Sequence, residues 1–159
     1  MRAAVLTVSD GVASGSREDT SGEVLAERAA SAGFEVVERR TVADERDQIA
    51  GALEQLAGLA ELVLTTGGTG FAPRDVTPEA TAAVVERPTP GLDEAMREVS
   101  RRASPHGLLS RGSSGIRGTA LIVNFPGSPR ACAECFDVIA PALTHGLELL
   151  VGDPTEHPA

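Results

Sequence analysis

Short apolar segments of strand length, separated by segments with helical spacing, most restrict the fold of this chain. Ala3 to Ser9, Leu62 to Thr65 and Ala120 to Phe125 are largely apolar without alternation, which is typical of strands buried on both faces. Because strand and helix patterns alternate over most of the length, the sequence predicts the α/β class. The expected architecture has three layers, with a mostly parallel sheet flanked by helices.

Capping signals predict where the helices between these strands begin. A hydroxyl or a carboxylate stands before each helical pattern, and at several of these places a proline follows it. The helices are expected to begin near Thr20, where Glu23 completes a capping box, and near Asp44, Thr77, Thr89 and Ser128.

Two further segments have less regular patterns. Phe34 to Val42 has the β-branched content of a strand, but charges at Glu35, Glu38 and Arg40 favour a position near the edge of the sheet. Residues 105–118 are irregular and rich in glycine, and a small hairpin is expected there.

Length and charge restrict the domain organisation and the partners. The 159 residues, 42% of them hydrophobic, suit one globular core, so residues 1–151 are expected to form a single domain followed by a polar tail at 152–159. A formal net charge of -9 repels phosphate polymers and anionic lipids, which argues against nucleic acid and membranes as partners. Without a signal-peptide pattern or a stretch of transmembrane length, a cytoplasmic location is expected.

Ligands are expected at the carboxyl ends of the predicted strands. Loops and helix N-termini with free N–H groups gather at that edge of an open α/β sheet. The segments that follow a strand in this way are Ser9-Asp10-Gly11, Asp44-Glu45, Thr66 to Asp75 and Asn124 to Ser128.

Two of these segments are glycine loops that run towards a capped helix. Glycines let backbone N–H groups approach phosphate or carboxylate oxygens without obstruction, so an anion site is one interpretation. Tight turns alone are the other, and the sequence leaves both open. Gly67-Gly68-x-Gly70 does not have the spacing of a dinucleotide fingerprint, and the chain has no lysine for a Walker A motif.

Two aspartates beside these loops are candidates for binding a metal. Asp75 follows the glycine loop, and a carboxylate beside a phosphate site calls for a divalent cation between them, for which magnesium is the natural choice. A role in a turn or cap ahead of Thr77 is the alternative. Asp44 has its own alternative as the N-cap of a helix, which Asp47 three residues later supports.

The cysteines and histidines give no additional site. Cys132 and Cys135 have the spacing of a redox motif, but both fall on the apolar stripe of the last helix, so core packing is expected. His106, His145 and His157 have no ligand-like spacing and are expected to be ordinary surface or core residues.

Several motifs match those of one known family in the same order. They are Thr7-Val8-Ser9-Asp10, Thr65 to Gly70, Arg74 to Thr81, Leu109-Ser110-Arg111 and Asn124 to Pro129. Together they resemble the MogA/MoaB family of molybdenum cofactor biosynthesis over nearly the whole chain. The joined Gly-Gly-Thr-Gly and Arg-Asp-Val-Thr-Pro-Glu block is the most specific part of the resemblance.

The resemblance implies a fold, a reaction and its cofactors. Members of the family have a mostly parallel sheet between helices and usually assemble as trimers, sometimes as hexamers. Its catalytic members are molybdopterin adenylyltransferases, which use Mg²⁺ and ATP, transfer AMP to the terminal phosphate of molybdopterin and release pyrophosphate. A molybdenum insertase, which acts on the product, is an implied partner.

The resemblance also implies roles for individual residues. By motif position, the aspartates that matter for activity in catalytic members are Asp44 and Asp75, which would hold Mg²⁺ and position phosphate. Stacking of a ligand on Phe71 or Phe125 is a further hypothesis, since both lie in ligand loops. The residues implied in binding substrate and nucleotide are Ser9, Asp10, Thr66, Gly67, Gly68, Thr69, Gly70, Ser110, Arg111, Pro126, Gly127 and Ser128.

Three alternatives to the enzyme remain within the same group of proteins. A non-catalytic paralogue would bind molybdopterin without turnover, although retention of Asp44 and Asp75 favours the enzyme. A CinA-type domain, or the corresponding domain of the molybdenum insertase, shares the glycine loop but belongs to longer chains, and Arg74-Asp75 follows the transferase pattern. An oligomeric scaffold, as the gephyrin G domain also serves, is the last alternative.

Overall fold

Six strands form a single sheet in the computed structural model, which describes residues 1–152 of the chain. Three of them agree to within one residue with the apolar segments of the sequence, and the strand at Arg87–Pro88 was not predicted. In chain order the strands are β1 (Arg2–Val8), β2 (Glu35–Val42), β3 (Leu62–Thr66), β4 (Arg87–Pro88), β5 (Ser114–Arg117) and β6 (Ala120–Phe125).

Helices connect the strands. In chain order they are α1 (Asp10–Ala13), α2 (Thr20–Ser31), α3 (Arg46–Ala57), α4 (Thr77–Val84), α5 (Pro90–Ala103) and α6 (Pro129–Val151). A 3₁₀ helix at Pro105–Leu109 follows α5 directly. The one-turn helix α1 follows β1 almost directly, where no helix was predicted.

The sheet has the strand order β2-β1-β3-β6-β5-β4. The first four strands in this order pair in parallel, and β5 and β4 continue the sheet antiparallel. The mostly parallel, three-layer architecture is therefore confirmed, as is the edge position of β2. The hairpin predicted within residues 105–118 is wrong, because only β5 lies there; it pairs with β6 outside that range, through a turn at Gly118 with a φ of 55°.

Alternate residues of the central strands pack into two cores, one on each face of the sheet. In β1, Val5 packs with α2, α5 and α6, whereas its neighbour Leu6 packs on the opposite side with α3 and α4. Both side chains are at most 1% exposed. Burial on both faces explains why these strands are apolar without alternation.

The first turns of α6 bury both cysteines. Cys132 and Cys135 are fully buried and form no disulfide, so the prediction of core packing is confirmed. Burial raises the pKa of the Cys132 thiol to about 12, which keeps the thiol protonated at neutral pH.

The start of α2 differs in detail from the capping prediction. The N-cap of α2 is Asp19 rather than Thr20, because the Asp19 carboxylate accepts a hydrogen bond from Gly22 N at 3.0 Å. The same carboxylate accepts from Thr7 Oγ1, which anchors the start of α2 to β1. The capping box predicted from Thr20 is therefore wrong by one residue.

The threonines ahead of α4 and α5 do not cap those helices through their hydroxyls. Thr77 is the first residue of α4, and its Oγ1 donates to Gly67 O at 2.9 Å. Thr89 holds the N-cap position of α5, but its hydroxyl donates to Ser114 Oγ. Both helix starts were predicted correctly, whereas the capping bonds were wrong because these hydroxyls serve tertiary contacts.

No helix within residues 1–152 combines the length and the apolar character that crossing a bilayer requires. The predicted polar tail at 152–159 lies outside the described residues, except for Gly152, which ends α6 with a φ of 76°. His157 lies outside them as well.

The aromatic ring of Phe125 belongs to the core. It is fully buried, and its centroid lies 6.3 Å from that of Phe136 in a stacked arrangement. Stacking of a ligand on Phe125 is therefore wrong, because the end of β6 turns this ring inward. Phe71 is 67% exposed, and stacking on it stays a prediction.

We expect Phe125→Ala to lower the free energy of unfolding by about 3–5 kcal/mol, because it opens a cavity beside Phe136. Phe71→Ala is the matched control and should change it by less than about 0.5 kcal/mol. The chain has neither Trp nor Tyr, so denaturant unfolding should be followed by circular dichroism. Equal stability of the two variants would contradict the core position of Phe125.

Candidate active site

The carboxyl ends of the four parallel strands form one rim, made of the loops that follow β1, β2, β3 and β6. Parallel pairing of β2, β1, β3 and β6 places these loops at the same edge of the sheet. All four segments that the sequence predicted for ligand binding follow these strands. They are therefore neighbours in space although they are far apart in the sequence.

The glycine loop after β3 passes very close to the end of β1. Gly67 and Gly68 have φ values of 94° and 63°, and a Cβ at Gly67 would overlap the carbonyl oxygen of Val8. Thr77 fixes the loop from the other side, since its Oγ1 donates to Gly67 O and its N donates to Gly68 O at 3.1 Å. Glycine is required here for both the backbone conformation and the close approach.

The second glycine loop, Pro126–Ser128, lies directly beside the first. A Cβ at Gly127 would be 3.6 Å from Gly67 Cα. The hydroxyl of Thr66 and the thiol of Cys132 both donate to Pro126 O, at 2.7 and 3.0 Å. Ser128 then caps α6 by accepting a hydrogen bond from Ala131 N.

The two loops together can receive anions. Two backbone segments without obstructing side chains adjoin the N-terminus of α6, which has 23 residues and therefore a full helix dipole. Backbone N–H groups at such a terminus favour phosphate. The anion-site interpretation of the glycines thus gains support, and tight turning is part of the same geometry.

Asp44 lies on the rim between β2 and α3. Its Oδ2 accepts a hydrogen bond from Asp10 N at 2.8 Å, and its Oδ1 would be 3.2 Å from a Cβ at Gly68. The N-cap position of α3 belongs to Glu45, so the alternative role of Asp44 as an N-cap is wrong. Because α3 begins one residue later than expected, the Asp44 side chain points towards the glycine loop.

Burial raises the pKa of the Asp44 carboxyl, and the nearby negative charges of Asp10 and Asp75 raise it further. Asp44 and Asp75 are thus close enough to repel each other. A cation between them would relieve this repulsion.

Asp75 lies beside Gly70 of the glycine loop, whereas Asp44 lies beside Gly68. The Oδ2 of Asp75 accepts a hydrogen bond from Ala72 N at 3.0 Å and would be 2.9 Å from a Cβ at Gly70. The turn role considered from the sequence is therefore real. It occupies one carboxylate oxygen, and within residues 1–152 Oδ1 of Asp75 accepts no hydrogen bond.

The two aspartates suit a cation that is shared with a ligand. Within residues 1–152 no group of three or more His, Cys, Asp or Glu side chains could hold a metal ion without other ligands. Mg²⁺ is ordinarily bound through one or two carboxylates together with substrate phosphates and water. Asp44 and Asp75, which lie beside the glycine loop, fit that description.

Ser9 and Asp10 are held by other parts of the rim. Ser9 is the N-cap of α1 and accepts a hydrogen bond from Val12 N at 3.2 Å. Both carboxylate oxygens of Asp10 accept from Arg74, at 2.6 and 2.9 Å, which lowers the pKa of Asp10. Direct binding of a substrate by either residue stays a prediction.

Arg111 supports the glycine loop by binding its backbone carbonyls. Its Nε donates to Gly70 O at 2.7 Å, its Nη2 donates to Asp75 O at 2.6 Å, and it pairs with the carboxylate of Glu79. Arg111 N also donates to Thr69 O. These contacts give Arg111 a role in holding the loop and Asp75 together, whereas contact with a ligand phosphate stays a prediction.

A cavity of about 550 Å³ opens beside the two loops. Its walls are the glycine loop with Asp75, the Pro126–Ser128 turn with the start of α6, and the end of α5 with the 3₁₀ helix. The predicted residues Thr69 and Ser110 line it, and Asp44 lies outside its walls, beside Gly68. This volume is in the range of sites for small organic ligands.

Sequence reasoning missed two parts of this site. The wall that contains Ser100, Ser104 and His106 comes from a helix end and an irregular segment without a motif, so no local signal identified it. Arg74 was also missed as a site residue. It stands in one of the rim motifs, and these motifs contain several carboxylates, which could have indicated an ion pair.

We expect Gly68→Ala to lower the free energy of unfolding by at least about 1–2 kcal/mol, the cost of a left-handed backbone for a residue with a Cβ. Overlap of that Cβ with the Thr77 hydroxyl adds to this cost. Gly51→Ala, inside α3 with open space around it, should be neutral or stabilise the protein by up to about 1 kcal/mol. If thermal unfolding gives both variants the same stability, the loop conformation is not as described.

Comparison with known proteins identifies the family. Residues 4–145 match the family described as "Probable molybdopterin binding domain". The chain is 40% identical over 153 residues to the molybdopterin adenylyltransferase of Helicobacter pylori, covering 94% of this chain and 87% of that protein. It is 33% identical to a molybdenum cofactor biosynthesis bifunctional protein of Chlorobaculum tepidum, covering 96% of this chain but 49% of the relative.

Solved structures agree with this assignment. The molybdopterin biosynthesis enzyme MoaB of Thermus thermophilus superposes with a TM-score of 0.90 at 44% identity, covering 98% of this chain and 99% of that one. The matched region includes both glycine loops and both rim aspartates. This chain therefore belongs to the molybdopterin-binding domain family, that of MogA and MoaB.

Proposed function

We propose that this chain is a molybdopterin adenylyltransferase, which transfers AMP from ATP to the terminal phosphate of molybdopterin and releases pyrophosphate. The observation that carries the proposal is that Asp44 lies beside Gly68 and Asp75 beside Gly70 of one glycine loop, next to a cavity large enough for an organic ligand. The names of its relatives support the same activity.

The rim provides the groups that phosphoryl chemistry needs. A phosphate oxygen of molybdopterin attacks the α-phosphorus of ATP, the bond to the bridging oxygen of pyrophosphate breaks, and pyrophosphate leaves with that electron pair. No covalent intermediate with the protein is required. The chain contributes orientation and charge stabilisation, through the backbone N–H groups of the two loops and the N-terminus of α6.

The unengaged oxygens of Asp44 and Asp75 are the atoms that would hold Mg²⁺. A bound Mg²⁺ ion supplies positive charge that offsets the charge developing on the phosphates. The Asp44 carboxylate keeps its orientation through the hydrogen bond from Asp10 N, and the Asp75 carboxylate through that from Ala72 N. Both aspartates are thereby fixed before a ligand arrives.

Arg111 and Thr77 keep the loop in the conformation that binds phosphate. Arg111 joins Gly70 O to Asp75 O, and Thr77 joins Gly67 O to the start of α4. Because Thr77 and Arg111 occupy the carbonyl oxygens of Gly67 and Gly70, the loop can offer its N–H groups to an anion.

A homotrimer, or a hexamer built from trimers, is the proposed assembly, in the cytoplasm. An apolar groove of about 400 Å³ between α5 and α6 supports it, lined by residues that include Leu92, Ala95, Val138 and Ala142. A molybdenum insertase is the proposed partner, since the bifunctional relative carries a second part of about equal length.

The assay that tests the function mixes the purified protein with molybdopterin, ATP and MgCl₂, and measures adenylylated molybdopterin and pyrophosphate. Asp75→Asn keeps an acceptor for Ala72 N but removes the charge, so we expect a loss of at least about 100-fold in rate with unchanged thermal stability. Asp137→Asn, an exposed aspartate of α6 paired with Arg28, is the control.

A wild-type protein that binds molybdopterin without forming either product would overturn the transferase in favour of the non-catalytic paralogue. Near-normal turnover by folded Asp75→Asn would instead remove Asp75 from the site.

Sedimentation equilibrium tests the assembly. Val138→Glu places a charge in the groove and should shift the protein from trimer towards monomer. Val37→Glu on β2 is the matched control, because both valines are 42% exposed. A monomeric wild-type protein, or an unchanged trimer in Val138→Glu, would count against this interface.

A further inference from the structure

Arg74 links the loops of the rim. Its Nε and Nη2 donate to the two carboxylate oxygens of Asp10, at 2.6 and 2.9 Å, and Nη2 also donates to Glu45 Oε1 at 2.9 Å. Arg74 itself immediately precedes Asp75. One guanidinium therefore connects the loop after β3 with the loops after β1 and β2.

Asp10 passes this connection on to Asp44. Asp10 N donates to Asp44 Oδ2 at 2.8 Å, and Asp44 N donates to Asp10 Oδ1 at 3.0 Å. The two residues thus hold each other through a reciprocal pair of backbone-to-carboxylate bonds. Asp10 Oδ1 accepts from both Arg74 and Asp44, so displacement of the Asp10 carboxylate would disturb Asp44.

The charges of the rim make this arrangement necessary. Asp10, Asp44, Glu45 and Asp75 are all acidic, and unbalanced carboxylates at short range repel one another. Arg74 pairs directly with two of them. A planar, bidentate donor fixes direction as well as charge, which a lysine ammonium does not.

We propose that Arg74 is a positioning residue that sets the orientation of the Asp44 carboxylate through Asp10. The inference rests on the proposed function, in which Asp44 is part of the reacting site. In it, the role of Asp10 is to hold Asp44 in its orientation. Arg74 acts from outside the reacting atoms, and its contacts through Asp10 connect the segment that carries Asp75 to Asp44.

Hydrogen exchange, measured in protein without nucleotide or metal, tests whether Arg74 holds Asp10 and Asp44 in place. In Arg74→Gln, the amide protons of Asp10 and Asp44 should exchange at least about tenfold faster, because their acceptors are no longer held. Arg28→Gln, which removes an exposed ion pair between α2 and α6, is the control and should leave both rates unchanged. Unchanged exchange in Arg74→Gln would overturn the proposal.

A double-mutant cycle tests whether Arg74 affects catalysis through Asp44. Arg74→Gln should lower kcat about 10- to 100-fold while the KM for ATP changes less than about threefold. Arg74→Lys should not restore kcat, since the fork is lost. In an Asp44→Asn background, Arg74→Gln should lower kcat by less than about a further twofold, because its effect passes through Asp44.

The outcomes separate this inference from the function on which it rests. Full additivity in the Asp44→Asn background, or a rise in KM for ATP with kcat unchanged, would overturn the positioning role in favour of direct contact between Arg74 and the nucleotide. If the wild-type protein has no transferase activity, the proposed function fails, and the exchange rates alone decide whether Arg74 holds Asp44.

Discussion

The close passage of the glycine loop across the end of β1 is the contact on which the site depends. Gly67 approaches the carbonyl of Val8 so closely that a side chain would not fit between them. This passage places the loop after β3, which also carries Asp75, beside Asp44 from the loop after β2. Parallel pairing of β2, β1 and β3 provides the common edge, and the glycines allow the loop to cross it.

Bringing these loops together also brings their carboxylates together, so the carboxylates repel one another. Two arginines compensate for this repulsion in different ways. Arg74 pairs with acidic side chains of the neighbouring loops, whereas Arg111 mainly binds backbone carbonyls of the glycine loop and the side chain of Glu79. With no lysine in the chain, every such contact can have the directional geometry of a guanidinium.

The sequence predicted the sheet well because burial on both faces leaves a direct signal. Strands β1, β3 and β6 are apolar runs whose bounds the sequence pattern predicted to within one residue, and the charges of β2 indicated its edge position. The rim segments could also be predicted, because ligand sites follow parallel strands. Helix caps were less predictable, since Thr77 and Asp44 each had a plausible local partner but bind a distant one.

The remaining parts of the site depend on contacts that one sequence does not encode locally. The cavity wall formed by the end of α5 and the 3₁₀ helix requires knowing how those elements pack beside α6. Likewise, Phe125 lies in a ligand loop by sequence, but the final residue of β6 faces the core. Which side of a strand its last residue occupies depends on register, and register comes from the whole sheet.

Both margins of the sheet are unsuited to further strands. On one side β2 has the charged residues Glu35 and Arg39 at exposed positions, and on the other β4 consists of Arg87 and Pro88 alone. Proline removes a backbone donor, and charged or very short outer strands discourage pairing with another chain. An assembly of copies through helices or loops would therefore leave the continuous sheet, and the spacing of the loops it carries, the same as in a monomer.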